Sequence, residues 1–164
     1  MIKDKMLKAI NEQINEEYAS AYIYLSMSAF FESINLQGFA QWMRVQVREE
    51  TAHGDKFFKH IVERGGRVAL KAIPEPAFEW KSPLDVFQAT LKHEQHITAC
   101  IHKLMDLAHA EKDYAAIGLL QWFVDEQVEE EASATQIVET LRRIGDKGHA
   151  LVMLDAQLGK RGAD

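Results

Sequence analysis

The sequence predicts an all-α protein: a four-helix bundle with one long crossover and a short C-terminal fifth helix. Three observations carry that prediction. Apolar residues recur at steps of three and four through four long stretches. Only three prolines and nine glycines interrupt 164 residues, of which 47% are hydrophobic. One segment, 67–82, has no helical period and holds two of the prolines.

The first helix spans about 5–34, on Leu7, Ile10, Ile14, Ala21 and Leu25. Ile34-Asn35-Leu36-Gln37-Gly38 interrupts it, with Asn35 and Gly38 as turn formers. The second helix runs from about Phe39 to Arg64, on Phe39, Met43, Phe57 and Ile61, and Gly65-Gly66 ends it. Ser82-Pro83-Leu84-Asp85 starts the third: Ser82 suits the N-cap, Pro83 the first helical position and Asp85 the positive helix end. That helix reaches about Glu111. Asp113 can cap a fourth, which runs to about Ile144 and stops at Gly145. A tail helix over about 146–158 carries Ala150, Leu151, Leu154 and Leu158.

The connections set the topology. Short turns make helices one and two antiparallel, and helices three and four likewise. The 67–82 segment can stretch about 50 Å, longer than the roughly 39 Å of a seven-turn helix. It can therefore cross the full bundle and leave helices two and three parallel. Residues 1–164 are expected to form a single domain.

Composition narrows the function. A net charge of −6 argues against nucleic acid as a partner. No run approaches the ~18 apolar residues of a membrane span. The amphipathic, charged N-terminus lacks a signal-peptide core, and the lone Cys100 suits a reducing compartment. The expected location is the cytoplasm, without a membrane partner.

Seven polar residues interrupt the apolar stripes in mid-helix. Glu17 follows Ile10 and Ile14. Gln46, Glu50 and His53 fall between Met43 and Phe57. Glu94 follows Phe87 and Leu91, and Gln127 and Glu130 follow Leu120 and Phe123. Any one of them alone reads as a surface residue, because Glu is almost never fully buried. Four interruptions at one level read as convergence. Glu17, Glu50, Glu94 and Glu130 bring four negative charges, which two divalent cations balance; His53 and Gln127 are neutral. Oxygen donors with one imidazole suit iron, manganese or zinc. Glu50-x-x-His53 is the (i, i+3) pair of bundle dimetal sites.

Other residues are expected to be less specific. Tyr24 lies on the same side of its helix as Glu17, as a core tyrosine would. Glu49, Glu126 and Glu129 lie one position off the stripes. Trp42 and Trp122 read as packing. His93, His96, His60, His102, His109 and His149 read as surface residues, and Cys100 as a packing or surface residue.

With these motifs in place, the chain resembles a ferritin of the bacterial, haem-free type. The resemblance covers essentially its whole length, through NEQINEEYASAYIYLSMS, GFAQWMRVQVREETAHGDKFFKHIVERGG, LKHEQHIT and LLQWFVDEQVEEEASA. It implies a ferritin-like fold and a ferroxidase centre holding two irons per subunit. Glu17, Glu50 and His53 would ligate the first iron. Glu50, Glu94 and Glu130 would ligate the second, with Gln127 close by and Tyr24 beside the centre. Glu49, Glu126, Glu129 and Glu130 resemble a third iron site. The implied function is oxidation of Fe(II) by O2 or H2O2, with Fe(III) mineral stored in a homo-oligomeric cage of 24 subunits. The alternative is a di-iron oxidase or oxygenase acting on an organic or peroxide substrate without mineral storage. Haem is not expected, because Ala52 stands where bacterioferritins carry the haem methionine. The fourth helix offers Gln127-x-x-Glu130 in place of a second E-x-x-H.

Overall fold

The computed structural model describes residues 1–145 and 148–162. Its helices are α1 (Asp4–Ser33), α2 (Gln37–Glu63), α3 (Pro83–Ala110), α4 (Tyr114–Ile144) and α5 (His149–Leu158). Residues 146 and 147, expected in the tail helix, lie outside the described residues.

The helix ends follow local chemistry. The Ser82 hydroxyl accepts from the Asp85 N–H at 3.2 Å, and the Asp113 carboxylate accepts from the Ala116 N–H at 3.1 Å. Three helices end in the same left-handed turn. After α1, Asn35 takes φ 58° while the Leu36 N–H reaches the Phe31 carbonyl. After α2, Gly65 takes φ 72° and the Gly66 N–H reaches the Ile61 carbonyl. After α3, Lys112 takes φ 54° and the Asp113 N–H reaches the Ala108 carbonyl. A lysine there bears a steric cost that glycine avoids.

Gly38 departs from the sequence expectation. It belongs to the first turn of α2, not to the connecting turn. A Cβ on it would lie 1.7 Å from the Asp155 carbonyl oxygen of α5. The residue is small because α5 docks on it. Leu36 offers no side-chain cap to α2, but Asp155 Oδ1 accepts from the Phe39 N–H at 2.9 Å. The fifth helix thus supplies the missing cap in trans. Its Leu151, Leu154 and Leu158 are buried, whereas Ala150 is exposed.

Side-chain contacts establish the helix directions. Tyr18 pairs with Asp55 and Ser28 with the Ala40 carbonyl, so α1 and α2 are antiparallel. Glu16 meets His96 and Ser20 meets His93, so α1 and α3 are antiparallel too. Helices α2 and α3 are therefore parallel, as the long crossover requires. That crossover tracks α1. Asn11 grips its start, accepting from the Ala69 N–H at 2.7 Å and donating to the Arg67 carbonyl at 3.2 Å. Ser26 donates to the Ala77 carbonyl at 2.6 Å, and Trp80 lies edge-on to Phe30.

The core is in two parts. One apolar cluster includes Tyr24, Phe31, Phe39, Met43 and Phe87, and is closed by α5. The other includes Ile10, Ile14, Phe57, Ile97 and Phe123. On every helix of the bundle, the polar interruptions fall between these clusters.

Candidate metal centre

The polar layer is built from the middle turn of each long helix. Glu17, Glu50, His53, Glu94, Gln127 and Glu130 are all buried, none more than 5% exposed. Such burial of carboxylates costs several kcal/mol apiece without compensation, by order of magnitude. Helical spacing explains why each faces inward: residues three or four apart share a face. Glu17 thus follows Ile14, and His53 precedes Phe57.

Glu17, Glu50 and His53 each present a ligand atom within 4.8 Å of the others. His53 Nδ1 lies 3.4 Å from Glu50 Oε2 and 3.9 Å from Glu17 Oε2. Glu17 Oε1 accepts from the Gln13 amide at 2.9 Å, while Glu17 Oε2 is buried with no hydrogen-bond partner among the described residues. A cation held by these three residues would satisfy that oxygen. His53 packs edge-on against Trp122 and Phe123, which fixes its ring plane.

Glu94 and Glu130 face this triplet from α3 and α4. Glu94 accepts from the Tyr24 hydroxyl and, at 3.2 Å, from the Gln127 amide. Glu130 accepts from the Gln46 amide at 3.1 Å. A carboxylate oxygen can accept more than one partner, so these donors leave acceptor capacity on both groups.

The electrostatics record a cluster short of positive charge. Burial, then the charge of Glu50, pushes the Glu17 carboxyl well above its ordinary value. Glu50 is raised in the same way, by burial and then by Glu94 and Glu130. Glu94 is raised by burial, against the hydrogen bonds from Tyr24 and Gln127. Glu130 is raised from 4.5 to about 7 by burial, then by Glu94 and Glu49. These carboxyls tend to hold protons that a divalent cation would displace.

The off-stripe acids separate. Glu126 Oε1 lies 3.9 Å from His53 Nε2, on the far side of the ring from Glu50. Glu49 is ion-paired to Arg161 at 2.6 Å. Glu129 is exposed on α4. Trp42 is buried against Phe87, as expected of a packing residue, but Trp122 is 38% exposed and carries Lys56 over its ring.

His93 is a correction. It is half-buried rather than on the surface, 2.8 Å from the Ser20 hydroxyl and edge-on to Tyr24. Burial pushes its imidazole down to about 4. The close approach of α1 and α3 encloses a residue that its own helix turns outward. His60 is also half-buried, beside Arg64, whereas His96, His102, His109 and His149 are exposed. Gln13 was not foreseen, although it stands four residues before Glu17, within reach on one helix face. Gln46 lies on the α2 stripe, but its pairing with Glu130 needs the fold.

Comparison with known proteins agrees with this fold. A family model described as a ferritin-like domain matches residues 7–144. A bacterial non-heme ferritin of Bacteroides fragilis is 44% identical over 161 residues, covering 98% of this chain and 100% of that protein. One of Staphylococcus aureus is 38% identical over 164 residues, covering 100% of this chain and 99% of that protein. The solved open-pore ferritin of the hyperthermophilic archaeon Archaeoglobus fulgidus superposes with a TM-score of 0.97 at 53% identity, covering 98% of this chain and 99% of that one. Whole-length identity at this level, with the same architecture, places the chain in the ferritin family, beside the bacterial non-haem ferritins.

Proposed function

We propose that this protein is a ferroxidase and iron store. Each subunit takes up two Fe(II) as substrate, passes their electrons to O2 or H2O2, and delivers Fe(III) to a mineral inside a cage of 24 identical subunits in the cytoplasm. The observation that carries this reading is the layer of four buried carboxylates between two apolar clusters. Glu17, Glu50, Glu94 and Glu130 are in mutual repulsion, and two divalent ions match their charge.

The residues divide the work. Glu17, Glu50 and His53 hold one Fe(II). Glu94 and Glu130 hold the second, with Glu50 reaching both. Glu49, Glu126 and Glu129 are proposed to offer a third position beside them. Gln13, Gln46, Gln127 and Tyr24 orient the carboxylates through their hydrogen bonds. Loading the site releases the protons that the raised carboxyls hold.

With two Fe(II) adjacent, one O2 receives two electrons and two protons and leaves as H2O2. The products are two Fe(III), which anionic oxygen donors stabilise. Hydrolysis of each Fe(III) to oxyhydroxide then releases three protons and removes product from the centre. An organic substrate would need a cavity at the carboxylates. A groove of ≈370 Å³, lined by Tyr18, Tyr22, Leu25, Leu70 and Ile73, includes none of the four carboxylates in its lining.

The test is anaerobic Fe(II) loading followed by air. The expected result is rapid oxidation of two Fe(II) per chain, then retention of many more as mineral. Organic turnover without mineral would overturn the storage reading.

A further inference from the structure

Arg161 stands beside the carboxylate layer as a cation that belongs to the chain itself. It lies in the turn after α5, which is anchored to α2 through Gly38 and Asp155. Its Nη2 donates to Glu49 Oε2 at 2.6 Å, and its guanidinium sits 4.4 Å from the centre of the Trp42 ring. The Gln41 amide donates to its backbone carbonyl at 3.3 Å. Its Nη1 is shut away from water and, among the described residues, has no acceptor. Hydrogen bonding alone therefore does not explain its position. The Glu49 charge and the Trp42 face hold it there.

Glu49 in turn borders the centre: its charge pushes up both Glu50 and Glu130, and Arg161 offsets it at Glu130. We propose that Arg161 is a built-in competitor for the third cation position, occupying Glu49 until an incoming divalent ion displaces its guanidinium. This rests on the reading of Glu49 as an iron ligand given above. Among the described residues no Lys or Arg is paired with Glu17, Glu50, Glu94 or Glu130, so the two inner positions fill first. The third fills only when Fe(II) is abundant, which orders the loading of the site. Because the guanidinium is tethered through α5, it returns when the ion leaves.

The test uses Zn(II), which is redox-inert, titrated calorimetrically into the assembled, metal-free protein. The wild type should bind two tight cations and one weaker cation per chain. Arg161→Met removes the charge while keeping an apolar stem over Trp42, and Arg161→Ala removes both. In each, the weaker cation should bind about fivefold tighter, the scale of a lost partly exposed ion pair, with the two tight cations within twofold of wild type. Adding Glu49→Gln to either variant should abolish the gain. An unchanged weaker phase in both Arg161 variants, or a gain that survives Glu49→Gln, would overturn the competitor role. Absence of the two tight cations from the wild type would instead overturn the di-iron reading.

Discussion

Replacing Glu130 with Gln should make the metal-free protein more stable at pH 8 while weakening its hold on divalent cations. In the unfolded chain this carboxyl ionises near 4.5; in the folded chain it does so near 7. Between those values the folded state binds the extra proton, so stability falls as pH rises. The full cost is present above pH 7 and absent below about 4.5. A rise of that size corresponds to about 3 kcal/mol. An amide has no proton to lose and nearly the same shape. The Gln46 N–H that now donates to Glu130 Oε2 could donate to the new amide's carbonyl. Urea unfolding with a chelator, at fixed protomer concentration, would read the difference between pH 5 and pH 8. The variant should gain up to about 3 kcal/mol at pH 8 and little at pH 5. Glu17, Glu50 and Glu94 are raised as well, so the pH dependence should flatten without vanishing. A variant no more stable than wild type at pH 8 would refute the claim that the layer is electrostatically strained.

Three further outcomes follow from the fold. Lys112→Gly should stabilise the protein by about 1 kcal/mol, read by denaturant midpoint, because a φ of 54° disfavours any residue with a Cβ. Gly38→Ala should cost about 2 kcal/mol or more, through overpacking against the Asp155 carbonyl. Hydrogen exchange should show α5 losing protection first in that variant. Asn11→Ala should cost about 1–2 kcal/mol by freeing the crossover from its paired hydrogen bonds, and limited proteolysis should then cut within 67–82 faster than in wild type.

The elements most legible in the sequence were those governed by local chemistry. Ser82 and Asp113 mark helix starts through side-chain caps, Pro83 through its fixed φ, and Gly65 marks a stop. The stripe that buries Glu17, Glu50, Glu94 and Glu130 was also readable, because helical period alone assigns a side to each residue. Features created by contact between distant segments were not readable. Gly38 has the composition of a turn, and only the approach of α5 explains why a helix residue there is glycine. Lys112 carries no sign of a left-handed conformation; the turn from α3 into α4 imposes it. His93 points away from the core on its own helix, yet α1 lies close enough to bury it. Arg161 sits more than a hundred residues from Glu49, and nothing in its neighbourhood marks it as that residue's partner.

The central claim is that four glutamates and one histidine meet around two divalent ions within a single subunit. Anomalous X-ray diffraction from crystals soaked anaerobically in Fe(II) would test it most directly. The account predicts two iron peaks per chain inside the bundle, one among Glu17, Glu50 and His53 and one among Glu50, Glu94 and Glu130. Replacing Glu50 and His53 with Ala should remove the first peak and slow Fe(II) oxidation severely. Iron found only on the outer surface, or oxidation unchanged in that double variant, would contradict the account.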